Sequence, residues 1–309
     1  MIEATGLTKR YGSKTAVDGI DFAVRPGLVT GFLGPNGAGK STTMRLIVGL
    51  DRPTAGTVTL NGQRYADLKS PLHEVGVLLD AKAVHTGRSA YNHLRAIAAT
   101  HRIGRRRVDE VIALTGLESV ARKRVGGFSL GMGQRLGIAT ALLGDPGILI
   151  LDEPVNGLDP EGVIWVRQLA RHLAKEGRTI FLSSHLMSEM AQTADQIIVL
   201  GRGRIIADAP VADILAQATG TAVRVRTPDA ARLAQLLHRP PEVTVTQSAP
   251  DLIEVNGLAS SQIGEIAATS QIVLHELTPV TGSLEDAYLA LTQDEVEYHA
   301  GGTLEGAAQ

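Results

Sequence analysis

The sequence predicts an α/β protein built on a buried, largely parallel sheet, followed by a small α+β module. Three observations predict it. Val29–Leu33, Ile148–Leu151, Thr179–Ser183 and Gln196–Leu200 are short runs, apolar on both faces, as strands covered by helices on both sides must be. Helical patterns and Gly-rich turns separate these runs from Met1 to about Ala218. Beyond that point the patterning changes to the half-buried alternation of an α+β unit.

Within the first part, Thr57–Leu60 alternates and meets Asn61–Gly62, which reads as part of a hairpin. The stretch from about Ala81 to Ala141 lacks strand signals and reads as an inserted helical subdomain, so the expected first domain is 1–218 with its helical part at 81–141. In the second part, Val223–Arg226, Val243–Thr246, Leu252–Val255 and Ile272–Leu277 read as strands. Asp229–Leu237 and Ser261–Ala268 read as helices between them. That βαββαβ order predicts a ferredoxin-like module over 219–297. A last helix opens at Ser283, with Asp286 three residues on as a capping box. The Gly- and Ala-rich tail, 298–309, is expected to be disordered.

Composition narrows the function classes. The chain has 309 residues with 44% hydrophobic content, enough for a substantial core. A net charge of −2 gives no basic field for nucleic acid, and 3% aromatics leave no stacking surface for it. There is no cysteine, so disulfides and thiolate metal sites are excluded. The nine histidines form no His-x-x-x-His pair for zinc. No run approaches the roughly 20 apolar residues of a membrane span, and Glu3 near the N-terminus argues against a signal peptide. Any role in transport therefore requires a membrane partner.

The strongest motif is Gly34-Pro35-Asn36-Gly37-Ala38-Gly39-Lys40-Ser41-Thr42, between the strand Val29–Leu33 and a helical pattern from Thr42 to Leu50. That is the setting of a P-loop. Its glycines let backbone N–H groups turn inward around a phosphate, and the helix N-terminus adds positive potential. Lys40 is expected on the β- and γ-phosphates and the Ser41 hydroxyl on Mg²⁺. The run Ile148–Leu151 ends in Asp152-Glu153-Pro154. Asp152 is a candidate Mg²⁺ ligand and Glu153 a candidate general base for an attacking water.

With these motifs in place, the chain resembles the ABC-type ATPases. Phe128-Ser129-Leu130-Gly131-Met132-Gly133-Gln134-Arg135 resembles their signature segment: Ser129 and Gly131 match, while Leu130 and Met132 depart from a glycine and a glutamine. The resemblance implies that this helix start faces the γ-phosphate of ATP bound to a second subunit. Read without it, the segment is an ordinary Gly-rich helix start. Asn156-Gly157-Leu158-Asp159 resembles the D-loop at the dimer interface; Asp159 is equally fit to cap the next helix. His185 matches the switch histidine on the γ-phosphate. Tyr11 matches the aromatic that stacks on adenine, or is a tyrosine of the N-terminal sheet. Val75-Gly76-Val77-Leu78-Leu79-Asp80 aligns with the loop that ordinarily ends in glutamine; Asp80 stands there, expected to bind the metal with altered efficiency.

The substituted loop, the signature and the appended module resemble the drug- and bacteriocin-resistance exporter group. That resemblance implies ATP and Mg²⁺ as cofactors and a dimer of two ATPase subunits, with a homodimer as the default. It also implies a separate membrane permease and a peripheral place on the cytoplasmic membrane face. A soluble ABC-type ATPase acting on a non-transport partner is the competing reading.

Overall fold

A computed structural model of the chain describes residues 1–81, 83–218, 222–239, 241–280 and 283–292. The expected tail at 298–309 lies outside the described residues. The described chain divides into two compact units, 1–210 with 291–292, and 211–290. The division falls at Pro210 rather than at Ala218, because the helix that follows Pro210 groups with the second unit.

The first unit begins with β1 (Ile2–Tyr11) and β2 (Lys14–Val24), an antiparallel pair. Next come β3 (Val29–Leu33), α1 (Lys40–Ile47), β4 (Ala55–Leu60), the single turn α2 (Pro71–Glu74) and β5 (Val75–Leu78). The helical segment holds α3 (Ala90–Thr100), α4 (Arg105–Leu114) and α5 (Leu130–Leu142). The chain then runs through β6 (Ile148–Leu151), α6 (Pro160–Lys175), β7 (Thr179–Ser183), α7 (Met187–Thr193), β8 (Gln196–Gly201) and β9 (Arg204–Pro210).

These strands form two sheets. A six-stranded sheet has the order β5-β6-β7-β3-β8-β9, parallel except for β9. Every residue of β3, β6 and β7 is buried, which is why their sequences are apolar on both faces. A three-stranded antiparallel sheet has the order β2-β1-β4. The two sheets are joined through three of the chain's four phenylalanines. Phe22 of β2 stacks on Phe32 and Phe181 at 6.3 and 6.0 Å, and the latter two lie 5.1 Å apart.

The hairpin reading at Asn61–Gly62 needs correction. Both residues have positive φ, and Leu60 exchanges hydrogen bonds with Gln63 across them, so the tight turn is present. The strand that pairs with β4, however, is β1, roughly fifty residues earlier. Alternation alone does not say which distant strand supplies the partner edge.

Of the helices in 90–142, α5 packs on the edge strand β5, and α3 and α4 pack on α5. A Cβ at Gly76 would stand 2.1 Å from the Ala141 carbonyl oxygen, and one at Gly137 would stand 2.5 Å from Leu78. Glycine at both places therefore sets how closely α5 approaches β5. Arg107 of α4 closes the other end of α5, donating to the Leu142 and Leu143 carbonyls at 2.7 and 3.3 Å. A cation among unpaired C-terminal carbonyls satisfies both the hydrogen bonds and the helix dipole.

The second unit contains α8 (Val211–Ala218), β10 (Ala222–Arg226), α9 (Ala230–Leu237), β11 (Thr244–Ala249), β12 (Leu252–Asn256), α10 (Ser260–Thr269), β13 (Glu276–Pro279) and most of α11 (Leu284–Thr292). Its sheet has the order β11-β12-β10-β13 with every pair antiparallel, the arrangement of a ferredoxin-like split βαβ. The last strand starts at Glu276 rather than Ile272. Gln271 takes a positive φ and the Ile272 N–H bonds back to the Ala267 carbonyl. That closes the end of α10 in a Schellman-type turn and delays strand pairing. At α11, Ser283 and Asp286 exchange the two bonds of a capping box.

Candidate active site

The strand β3 delivers the chain into the loop 34–39 at the carboxyl edge of the six-stranded sheet, where α/β proteins bind ligands. Glycine is required there. A Cβ at Gly34 would meet the Leu200 carbonyl oxygen at 2.4 Å, and one at Gly39, whose φ is +108°, would meet that of Ala16 at 2.3 Å. The loop opens into a cavity of about 470 Å³. Tyr11, Pro35, Asn36, Gly37, Gly39, Lys40, Ser41, Thr42, Asp152 and Glu153 line it, and Gly34 and Ala38 are buried behind.

Lys40 is only 8% exposed, and its ammonium donates to the carbonyls of Gly34 and Pro35 at 2.6 and 3.2 Å. Burial lowers its pKa, opposed in part by the carboxylates of Glu153 and Asp152. The desolvated cation is thus held by dipoles that an anion from solution would supersede.

The two carboxylates follow β6 directly. Asp152 accepts from the Ser41 hydroxyl at 2.7 Å and from the Ser183 hydroxyl at 2.5 Å, and its N–H donates to the Leu78 carbonyl at 2.7 Å. Ser183 stands at the end of β7 and also accepts from the Glu153 N–H at 2.9 Å. The Glu153 carboxylate lies 2.7 Å from Nδ1 of His185. The adjacent ends of β6 and β7 therefore place Asp152, Glu153, Ser183 and His185 together beside the helix that carries Lys40 and Ser41.

Tyr11 sits at the end of β1, 48% exposed, so it is not a core residue of the N-terminal sheet. Its hydroxyl donates to Asp51 at 3.0 Å and Lys9 lies 4.9 Å from its ring centre. Burial and the neighbouring Asp51 carboxylate raise its pKa.

Besides Gly34 and Ala38, five expected site residues are not in the lining; one of them, His185, reaches it through its bond to Glu153. Asp80 is exposed and follows the lining residue Leu79. Ser129 caps α5, accepting from the Met132 N–H at 3.2 Å. A Cβ on Gly131 would stand 3.0 Å from the Gly157 carbonyl oxygen. Asp159 caps α6 through the Gly162 N–H at 2.9 Å. Two contributors went unnoticed in the sequence. Ser183 had a signal, its place at the end of a buried strand just before His185. Gln134, buried on α5, donates to the Glu153 carbonyl at 2.7 Å, and nothing local announces a contact across that distance.

A P-loop at the edge of this sheet, with an aspartate and a glutamate at the end of β6, one strand removed from β3, defines an ATP-binding and ATP-hydrolysing P-loop protein. A family model described as "ABC transporter" matches residues 17–156. A second, described as "Domain of unknown function (DUF8746)", matches 221–285. The chain is 42% identical over 213 residues to the bacitracin transport ATP-binding protein BcrA of Bacillus licheniformis, covering 68% of this chain and 70% of that one. It is 35% identical over 308 residues to an uncharacterized ABC transporter ATP-binding protein, YhcH, of Bacillus subtilis (strain 168), covering 96% and 97%. A solved structure of an ATP-binding subunit of an ABC transporter superposes with a TM-score of 0.62 at 29% identity, over 70% of this chain and 92% of that one. The chain belongs to the ATP-binding proteins of ABC transporters, and is an ATP hydrolase of the transport class. Among the described residues, no helix is long and apolar enough to cross a membrane.

Proposed function

We propose that the chain powers an exporter of antibiotics or related compounds, as one of two ATPase subunits beneath a separate permease. The name of the BcrA relative supports the cargo class, and the resemblance to the exporter group supports the direction. The subunit would sit on the cytoplasmic membrane face, held there by the permease. No nucleic acid is a partner in this reading.

The roles follow from the cavity. Lys40 and the N–H groups of Asn36 to Thr42 take the phosphates, and Tyr11 stacks on adenine. Ser41 and Asp152 are already paired at 2.7 Å and present two oxygens to a cation. Among the described residues no cluster of three or more His, Cys, Asp or Glu could hold a metal. A two-oxygen set suits Mg²⁺, which keeps waters and nucleotide phosphates as its remaining ligands; when bound it would neutralise phosphate charge. Glu153 accepts the proton of the attacking water, and His185 orients that carboxylate and contacts the γ-phosphate. Asp80 approaches the metal side when the loop after β5 moves.

Ser129 and Gly131 lie outside the chain's own cavity, so they serve the ATP of the second subunit, with Asp159 in the loop between. Two ATP molecules are then shared by a homodimer, and its opening and closing moves the permease.

One observation carries this reading: the Glu153 carboxylate, bonded to His185, stands beside an aspartate already bonded to the P-loop serine. Light scattering on Glu153→Gln tests it. With ATP the variant should form a stable dimer that disperses in ADP, and turnover should fall about 10²- to 10⁴-fold. A variant that hydrolyses ATP like the unaltered protein would remove Glu153 as base.

A further inference from the structure

We propose that Gln134 is a positioning residue that holds Glu153 in its hydrolytic conformation, an inference that rests on the reading of Glu153 as general base. Glu153 has φ +49°, in the left-handed region that a non-glycine residue rarely occupies. Such a conformation persists only where surrounding structure enforces it. Three bonds do so here. The Glu153 N–H donates to Ser183 at 2.9 Å, and its carbonyl accepts from the Asn156 N–H at 3.2 Å and from the Gln134 side-chain amide at 2.7 Å. The first is built into the end of β7 and the second is a local turn. Gln134 alone reaches the peptide from a helix distant in sequence.

That helix is itself fixed against the same segment. A Cβ on Gly157 would lie 2.2 Å from Leu130 at the start of α5, so Leu130 packs directly on the Gly157 backbone, which has φ +73°. Gln134 is one turn further along the helix and 5% exposed, with its amide committed to the Glu153 carbonyl. The first turns of α5 thus grip the stretch 153–157 at both ends. Rotating the Glu153 peptide out of the left-handed region would break the Gln134 bond and turn its carboxylate away from His185.

The test uses the full chain. Gln134→Met keeps length and volume but has no donor, so turnover should fall about ten- to a hundredfold, the cost of misplacing a catalytic group by about an ångström. ATP affinity, measured with a fluorescent nucleotide, and KM should stay within about twofold, since no ATP-lining residue is touched. In the Glu153→Gln background, Gln134→Met should cause no further loss, because it acts through Glu153. If Gln134→Met does not fold, Gln134→Glu, which places a carboxylate against the carbonyl, takes its place in the same comparison. Unchanged turnover, an equal fold-loss in KM and kcat, or the same loss in the Glu153→Gln background would each overturn the proposal. Full turnover in Glu153→Gln alone would instead overturn the assignment of the base, so the two failures read out on different variants.

Discussion

At the residue scale, the charges near the P-loop decide what the site can do. Lys40 is poorly solvated, and Asp152 accepts one hydroxyl at each carboxylate oxygen, which leaves lone pairs free for a cation. Asp80 departs from the family's glutamine. Its backbone lies two residues past Leu78, whose carbonyl accepts the Asp152 N–H, so the loop begins beside the candidate metal ligand. An added carboxylate there opposes the phosphate charge and competes for the cation. Asp80→Asn should therefore shift the Mg²⁺ concentration for half-maximal turnover and change kcat. A magnesium titration identical to that of the unaltered protein would show that Asp80 is not a ligand.

At the element scale, α3 carries a buried histidine whose consequences are measurable. His93 is 8% exposed and its Nδ1 has no partner among the described residues. Burial, with Arg88 adding repulsion, lowers its pKa from the ordinary 6.5. The sign follows directly. The unfolded chain binds the proton first, so stability is unaffected well above pH 6.5, begins to fall below it, and reaches its full loss below the depressed native value. His93→Gln should weaken this decline: its melting temperature should drop less than that of the unaltered protein between pH 7.5 and pH 5.5, about two units spanning the ordinary histidine value. Parallel declines would assign the acid sensitivity elsewhere.

At the scale of the whole molecule, the described residues include an apolar core that takes in Phe32, Ala38 and Met44 around the nucleotide loop, and another in unit 211–290. Every residue lining the nucleotide cavity belongs to the first unit. The second unit is proposed to stabilise or regulate the dimer. Leu233, fully buried in its core, offers the test. Leu233→Ala should cost roughly 2–5 kcal/mol of that unit's stability. ATP affinity should stay within about twofold, because every residue lining the cavity belongs to the other unit. ATP-dependent dimerisation, followed in the Glu153→Gln background, should weaken. Dimerisation unchanged in a variant whose melting has clearly shifted would remove that role.

Several parts of this architecture were legible without coordinates. The strands β3, β6 and β7 are buried on both faces, and continuous apolar runs of four or five residues can do little else. The P-loop was legible because a phosphate cradle needs glycine at particular positions, and a Cβ at Gly34 or Gly39 would strike a neighbouring carbonyl. The capping residues Asp159 and Ser283 were legible because caps are local. What the tertiary structure alone decided is everything that depends on distant partners: β1 as the mate of β4, the unit boundary at Pro210, the stack of Phe22, Phe32 and Phe181, and the hold of Gln134 on Glu153. Local chemistry is written in adjacent residues. A hydrogen bond from one helix to the peptide of a strand end depends on how the chain packs, and packing is a property of the whole fold.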